Sequence, residues 1–231
     1  MRRSPVPLPA VLPAILVAFL AGACSDEPGP VGPEFAALVG TASAITCGDV
    51  VDGGIVGDVE VEPGGACALN GVTVRGNVKI LEGGSLTISG GAVRGNVQGD
   101  KAWAVEVRNA WIGGDVQMQE TAVNIIVDVT VRGNIQIEKA GAGDEGIVLV
   151  NGNDVLTGNI QVVENRVLTL EISGNDVRTG NLQVFKNGGD GAKGVTANVV
   201  AQNLQCKENA SPFTAGGNTA GDREGQCGTR P

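Results

Sequence analysis

Aliphatic and polar residues alternate in short runs along this chain, and the runs recur at a fixed distance. After each Gly-Asn or Gly-Asp step, the second residue beyond the glycine position is aliphatic: Val59, Val78, Val97, Val116, Ile135, Ile160, Leu182 and Leu204. The fourth gives a second column of Val61, Ile80, Gly99, Met118, Ile137, Val162, Val184 and Cys206. Val74, Val93, Ile112 and Val131 stand two residues before the glycine, and Leu69, Ile88, Val107 and Ile126 form a further column. Between the first two columns runs a polar line of Glu60, Lys79, Gln98, Gln117, Gln136, Gln161, Gln183 and Gln205. Alternation of period two predicts strands with one buried face.

The steps Gly57-Asp58, Gly76-Asn77, Gly95-Asn96, Gly114-Asp115 and Gly133-Asn134 are each 19 residues apart. Gly158-Asn159, Gly180-Asn181 and a degenerate Gln202-Asn203 follow at intervals of 25, 22 and 22. A period near 20 residues predicts a solenoid. With each strand stacked on its equivalent in the previous coil, the expected fold is all-β: a single-stranded parallel β-helix of roughly eight coils around one aliphatic core. The longer, variable coils favour a right-handed helix over the left-handed hexapeptide form. The Gly-Asn pairs are expected to be structural corners, with glycine supplying positive φ and the asparagines stacking along the axis. On that reading Asp58 and Asp115 interrupt the ladder. The functional alternative is a ligand-binding face made by the same column.

The ends divide differently. Residues 1–23 read as a signal peptide: Arg2 and Arg3, an apolar run from Val11 to Leu20, then Ala21-Gly22-Ala23. The run is short for a membrane span. Ordinary signal peptidase and lipoprotein processing would both cut before Cys24. Five cysteines in an exported chain leave one odd thiol, so a lipid on Cys24, anchoring the chain to a membrane, is the expectation. Residues 24–44 then form a flexible tether, 45–206 the β-helix, and 207–231 an irregular C-terminal cap. Cys47 and Cys67 lie 20 residues apart, about one coil, within reach of a disulfide. Cys206–Cys227 is the expected second pair, so that each bond pins one end.

Composition narrows the function. With 37 glycines, no histidine and no tyrosine, neither a collagen repeat nor a disordered chain fits. The net charge of −9, more negative still without Arg2 and Arg3, argues against nucleic-acid binding. Zero histidines removes the commonest general base and transition-metal ligand, so no catalytic residues, metal or cofactor are expected. Glu60, Glu106, Asp128, Glu138, Glu164 and Glu171 are dispersed, whereas glycoside hydrolysis needs paired carboxylates. Asp144 with Glu145, and Asp154 with Asp176 in matching Gly-Asn-Asp-Val segments, are the acidic groups most able to gather. Arg75, Arg94, Arg132 and Arg178 form a partial basic stripe, read as charge balance on adjacent coils. Trp103, Trp111, Phe185 and Phe213 are the aromatics available to a sugar. Thr73 and Thr130 are too isolated for an ice-binding column.

The Gly-Asn-Val/Leu-Gln units, the stretch Asn203-Leu204-Gln205-Cys206-Lys207-Glu208-Asn209 and the ending Gly217-Asn218-Thr219 to Glu224-Gly225-Gln226-Cys227 resemble a group of secreted bacterial β-helix proteins. A more distant similarity is to bactofilins, which polymerise through short β-helical coils. The first resemblance implies the fold and export and carries no catalytic residues. The function expected is a non-catalytic, exported, lipid-anchored structural or surface-interaction protein of the bacterial cell envelope, with a glycan or protein partner of unspecified kind. The alternative is a carbohydrate-binding or polysaccharide-active β-helix.

Overall fold

The alternating columns become stacked parallel strands. A computed structural model describes residues 43–141 and 146–228 as an all-β parallel solenoid of about nine turns. The expected signal segment, Cys24 and nearly all of the expected tether lie outside the described residues, as do Asp144 and Glu145. One sheet of nine strands takes one strand from each turn, from Val50–Asp52 through Ser85–Ser89 to Phe213–Gly216. The other, of 17 strands, takes two short strands from most turns, such as Ala92–Val93 and Val97–Asp100, with the glycine corner between them. Where Gln202 replaces that glycine, Val199–Lys207 runs unbroken and pairs with both Asp176–Val177 and Leu182–Phe185.

Register follows the sequence columns residue for residue. Val78, Val97, Val116, Ile135, Ile160, Leu182 and Leu204 pair in succession along the large sheet. Leu69, Ile88, Val107, Ile126, Val150 and Ile172 do so along the nine-stranded sheet. All are buried in one continuous core. Because parallel pairing extends through every turn, the inward residues of successive coils touch along the axis, and no strand depends on a distant hairpin partner.

Both disulfides form as expected, Cys47–Cys67 with Cα atoms 5.5 Å apart and Cys206–Cys227 with 5.2 Å. The C-terminal segment is not irregular. Phe213–Gly216 pairs with Ala192–Thr196, and Thr219–Gly225 with Val199–Lys207, which adds a turn to the expected eight. A terminal turn has a neighbour on one side only. Thr219–Gly225 is mostly exposed and carries little of the apolar alternation that marks the inner strands.

Two lines of left-handed backbone turn the coil elsewhere. One runs through Gly71, Gly90, Asn109, Asp128, Gly152, Gly174, Ala197 and Gly217, and the other through Gly64, Gly83, Lys101, Glu120, Lys139, Glu164, Lys186 and Glu208. The residue following most of these points into the core at the corner. In early turns it is usually apolar, as at Val72, Ala102, Ala110 and Val129, with Gly65, Gly84, Gly91 and the buried Thr121 departing from that; in later turns it is asparagine.

Candidate functional site

The glycines of the Gly-Asn corner are needed for contact distance, not for φ. Gly57, Gly76, Gly95, Gly114, Gly133, Gly158 and Gly180 are absent from the positive-φ residues, which corrects the expected mechanism. A Cβ on Gly76 would lie 2.1 Å from Asp58 Oδ1, and one on Gly114 2.1 Å from Asn96 Oδ1. The preceding coil's side chain occupies that space because its oxygen accepts the next coil's backbone N–H. The Asn77 N–H donates to Asp58 Oδ1 at 2.7 Å, Asn96 to Asn77 at 2.9 Å, and Asp115 to Asn96 at 2.8 Å. Asn134, Asn159, Asn181 and Asn203 continue the series. Only an acceptor is required, so Asp58 and Asp115 are full members of the ladder and do not interrupt it.

The glutamine line is a second ladder. Nε2 of Gln98 donates to Oε1 of Gln117 at 2.8 Å, and the chain of bonds passes through Gln136, Gln161 and Gln183 to Gln205. It ends where Gln205 donates to Glu224, whose carboxylate also accepts from Lys207 at 2.9 Å. The Lys207 hydrogen bond, helped by that from Gln205, holds the Glu224 carboxyl below its usual value. Every amide dipole in the row points its N–H toward the same end, and an anion stands there, as one does at a helix N-terminus.

Two further ladders lie inside. Both the backbone N–H and Nδ2 of Asn153 donate to Asn175 Oδ1, at 3.0 and 2.9 Å, and the pattern repeats from Asn175 to Asn198 and from Asn198 to Asn218. Asn165, Asn187 and Asn209 form the other, closing on Gln226 Oε1. Another buried polar group is Lys193, whose Nζ donates to the carbonyls of Gly189 and Gly191 at 2.7 and 2.8 Å. Desolvation pushes its ammonium below the ordinary lysine range, with Asp190 opposing.

The candidate acidic pair is brought together and then neutralised. Asp154 and Asp176 are register partners on adjacent coils. The Arg178 guanidinium donates to both oxygens of Asp154, at 2.6 and 2.5 Å, and lies 3.9 Å from Asp176. The hydrogen bond to Asp154 raises the Arg178 pKa above its ordinary value. Glu106 pairs with Arg108, Glu171 accepts from Ser173 Oγ, and Glu164 pairs with Lys186. Among the described residues no three acidic, cysteine or histidine side chains cluster as a metal site would need. The arginine stripe is broken at Gly113, where an added Cβ would lie 2.7 Å from the Trp111 ring.

One exposed surface gathers charged side chains around an indole. Trp103 is 62% exposed and lines a groove of about 640 Å³ with Lys101, Glu120, Lys139, Glu164 and Arg166. Lys101, Glu120, Lys139 and Glu164 belong to the second left-handed line, which runs on through Lys186 and Glu208. All six are exposed, and their charges alternate in sign from coil to coil. Left-handed backbone costs a non-glycine residue about 1–2 kcal/mol, and the two earliest turns use glycine there. Sequence inspection missed this column, although each member stands six residues after its corner position: 95 to 101, 114 to 120, 133 to 139, 158 to 164, 180 to 186 and 202 to 208. Trp111 and Phe185 are half-buried, and Phe213 packs against the core. A smaller cavity of about 370 Å³ lies beside Gln98, Met118 and Gln136.

The fold and its ladders define a parallel β-solenoid with stacked asparagine and glutamine rows. Comparison with family models, curated proteins and solved structures finds no match.

Proposed function

We propose that the chain is an exported, non-catalytic β-solenoid, lipid-anchored through Cys24, that presents a stiff surface for interaction at a bacterial cell envelope. The leader-like residues 1–23, the odd cysteine and the resemblance to secreted bacterial β-helix proteins support export and anchoring. The observation that carries the interaction reading is the side-chain ladders. Four rows of amides are bonded coil to coil, so the surface between them is held by bonds along the axis. Such a scaffold fixes the spacing of whatever its exposed corner displays.

A second reading, carbohydrate binding, is favoured by Trp103 beside the groove, since an exposed indole gives a sugar ring an apolar platform. Two measurements test the proposal. Metabolic labelling with an alkyne fatty acid should mark the wild-type chain and not Cys24→Ala; an unlabelled wild type would remove the anchor. Incubation with a polysaccharide panel, with and without calcium, should release no product. Turnover of any member would overturn the non-catalytic reading, and binding without turnover would select the carbohydrate one.

A further inference from the structure

We infer that the charged corner is a self-association surface, which joins two copies of this chain antiparallel about a two-fold axis. In chain order the six exposed residues read Lys101, Glu120, Lys139, Glu164, Lys186, Glu208. Reversed, the row reads Glu, Lys, Glu, Lys, Glu, Lys. A second copy turned end for end therefore sets Lys101 against Glu208, Glu120 against Lys186 and Lys139 against Glu164, and the two-fold repeats each pair. A parallel copy in register would set like charges together. A parallel copy shifted by one coil would leave both ends unpaired and would not close.

The row suits an interface in three other ways. It carries three lysines and three glutamates, so it is neutral on a chain of net charge −9. Of the six, Lys186 and Glu164 form an ion pair with each other at 3.3 Å, and Lys101, Glu120, Lys139 and Glu208 are open to pairing across an interface. Two of the large apolar side chains most exposed to solvent, Trp103 at 62% and Leu168 at 51%, lie two residues after Lys101 and four after Glu164. Exposed apolar side chains beside such a row can anchor an interface once a partner covers them. The competing explanation is that alternation only keeps like charges apart within one chain.

Zero-length carbodiimide coupling separates the two. Lys101 and Glu208 are five coils apart, about 24 Å at the spacing of paired strands, too far to couple within one chain. The exported chain carrying Cys24→Ser, so that no lipid contributes, should sediment at about twice its monomer mass. It should also yield Lys101–Glu208 and Glu120–Lys186 cross-linked peptides. Dissociation should strengthen about tenfold or more between low and high salt, because exposed pairs are screened. The triple variants Lys101→Glu/Lys139→Glu/Lys186→Glu and Glu120→Lys/Glu164→Lys/Glu208→Lys should each be monomeric and should associate when mixed. A monomeric wild type without the Lys101–Glu208 peptide would overturn the inference, even if the variants failed to fold. So would folded variants that stay apart on mixing. A sugar that quenches Trp103 fluorescence in a monomer would give the groove to the carbohydrate reading.

Discussion

A hydrogen-bond acceptor of the right length is the whole chemical demand of the corner ladder, and the space it takes is the whole demand on the glycine beside it. The two glycine classes in this fold should therefore respond differently to one added methyl group. Gly114→Ala places a Cβ 2.1 Å from Asn96 Oδ1 and 2.9 Å from the Gly95 backbone, so the coils must separate or the ladder must open. A loss of about 3 kcal/mol is expected, at the upper end for overpacking. Gly71→Ala meets nothing within 4 Å and pays only for left-handed backbone at φ 62°, about 1–2 kcal/mol. Guanidinium unfolding midpoints of the two variants check the order, and a Gly71 variant less stable than the Gly114 one would refute the contact account. The position of these corners was legible in the sequence from the 19-residue spacing. Their cause was not. A glycine kept for φ and one kept for proximity look alike until the facing atom in the next coil is known.

At the scale of the elements, the strands were legible because each inward column is aliphatic over many coils, as in Val78 to Leu204. The inner asparagine rows were hidden by the same logic. Asn153, Asn175 and Asn198 follow left-handed residues outside any alternating run, where an asparagine reads as an ordinary turn residue. Burial makes them structural. Asn175 Oδ1 takes two N–H groups from Asn153, while its own Nδ2 donates to the Val150 carbonyl at 2.7 Å and to Asn198. Asn175→Ala leaves the Asn153 donors and the Val150 acceptor unpaired in the core. At 1–3 kcal/mol for a buried unsatisfied group, with partial relaxation, a loss of about 3 kcal/mol is expected. The equivalent corner of an earlier turn is already alanine at Ala110, with no asparagine row to break. Hydrogen exchange should show the Asn153 amide losing protection in the variant while Val107 keeps it. Equal acceleration at both would mean the ladder is not a local device.

The whole solenoid is a stack in which each turn touches only its neighbours, so damage at one end should stay there. The spacing of the cysteines made both end bonds legible, whereas the last turn, with half its partners missing, lacked the pattern that marks a strand. That turn is also where the ladders finish: Glu224 ends the glutamine row and Gln226 an asparagine row. Cys227 lies directly after them, tied to Cys206 across a sequence separation of 21. Opening that bond in a Cys206→Ala/Cys227→Ala variant returns loop entropy to the detached segment, about 3 kcal/mol for a loop of this size, and leaves the edge strand Thr219–Gly225 held by backbone pairing and exposed contacts. Amides of Thr219–Gly225 and of its partner Val199–Lys207 should exchange faster by about two orders of magnitude, the rate equivalent of 3 kcal/mol. Those of Val97–Asp100, five and six turns away, should not change. Uniform acceleration along the chain would show instead that the turns unfold as one unit and that the end bonds stabilise the entire core.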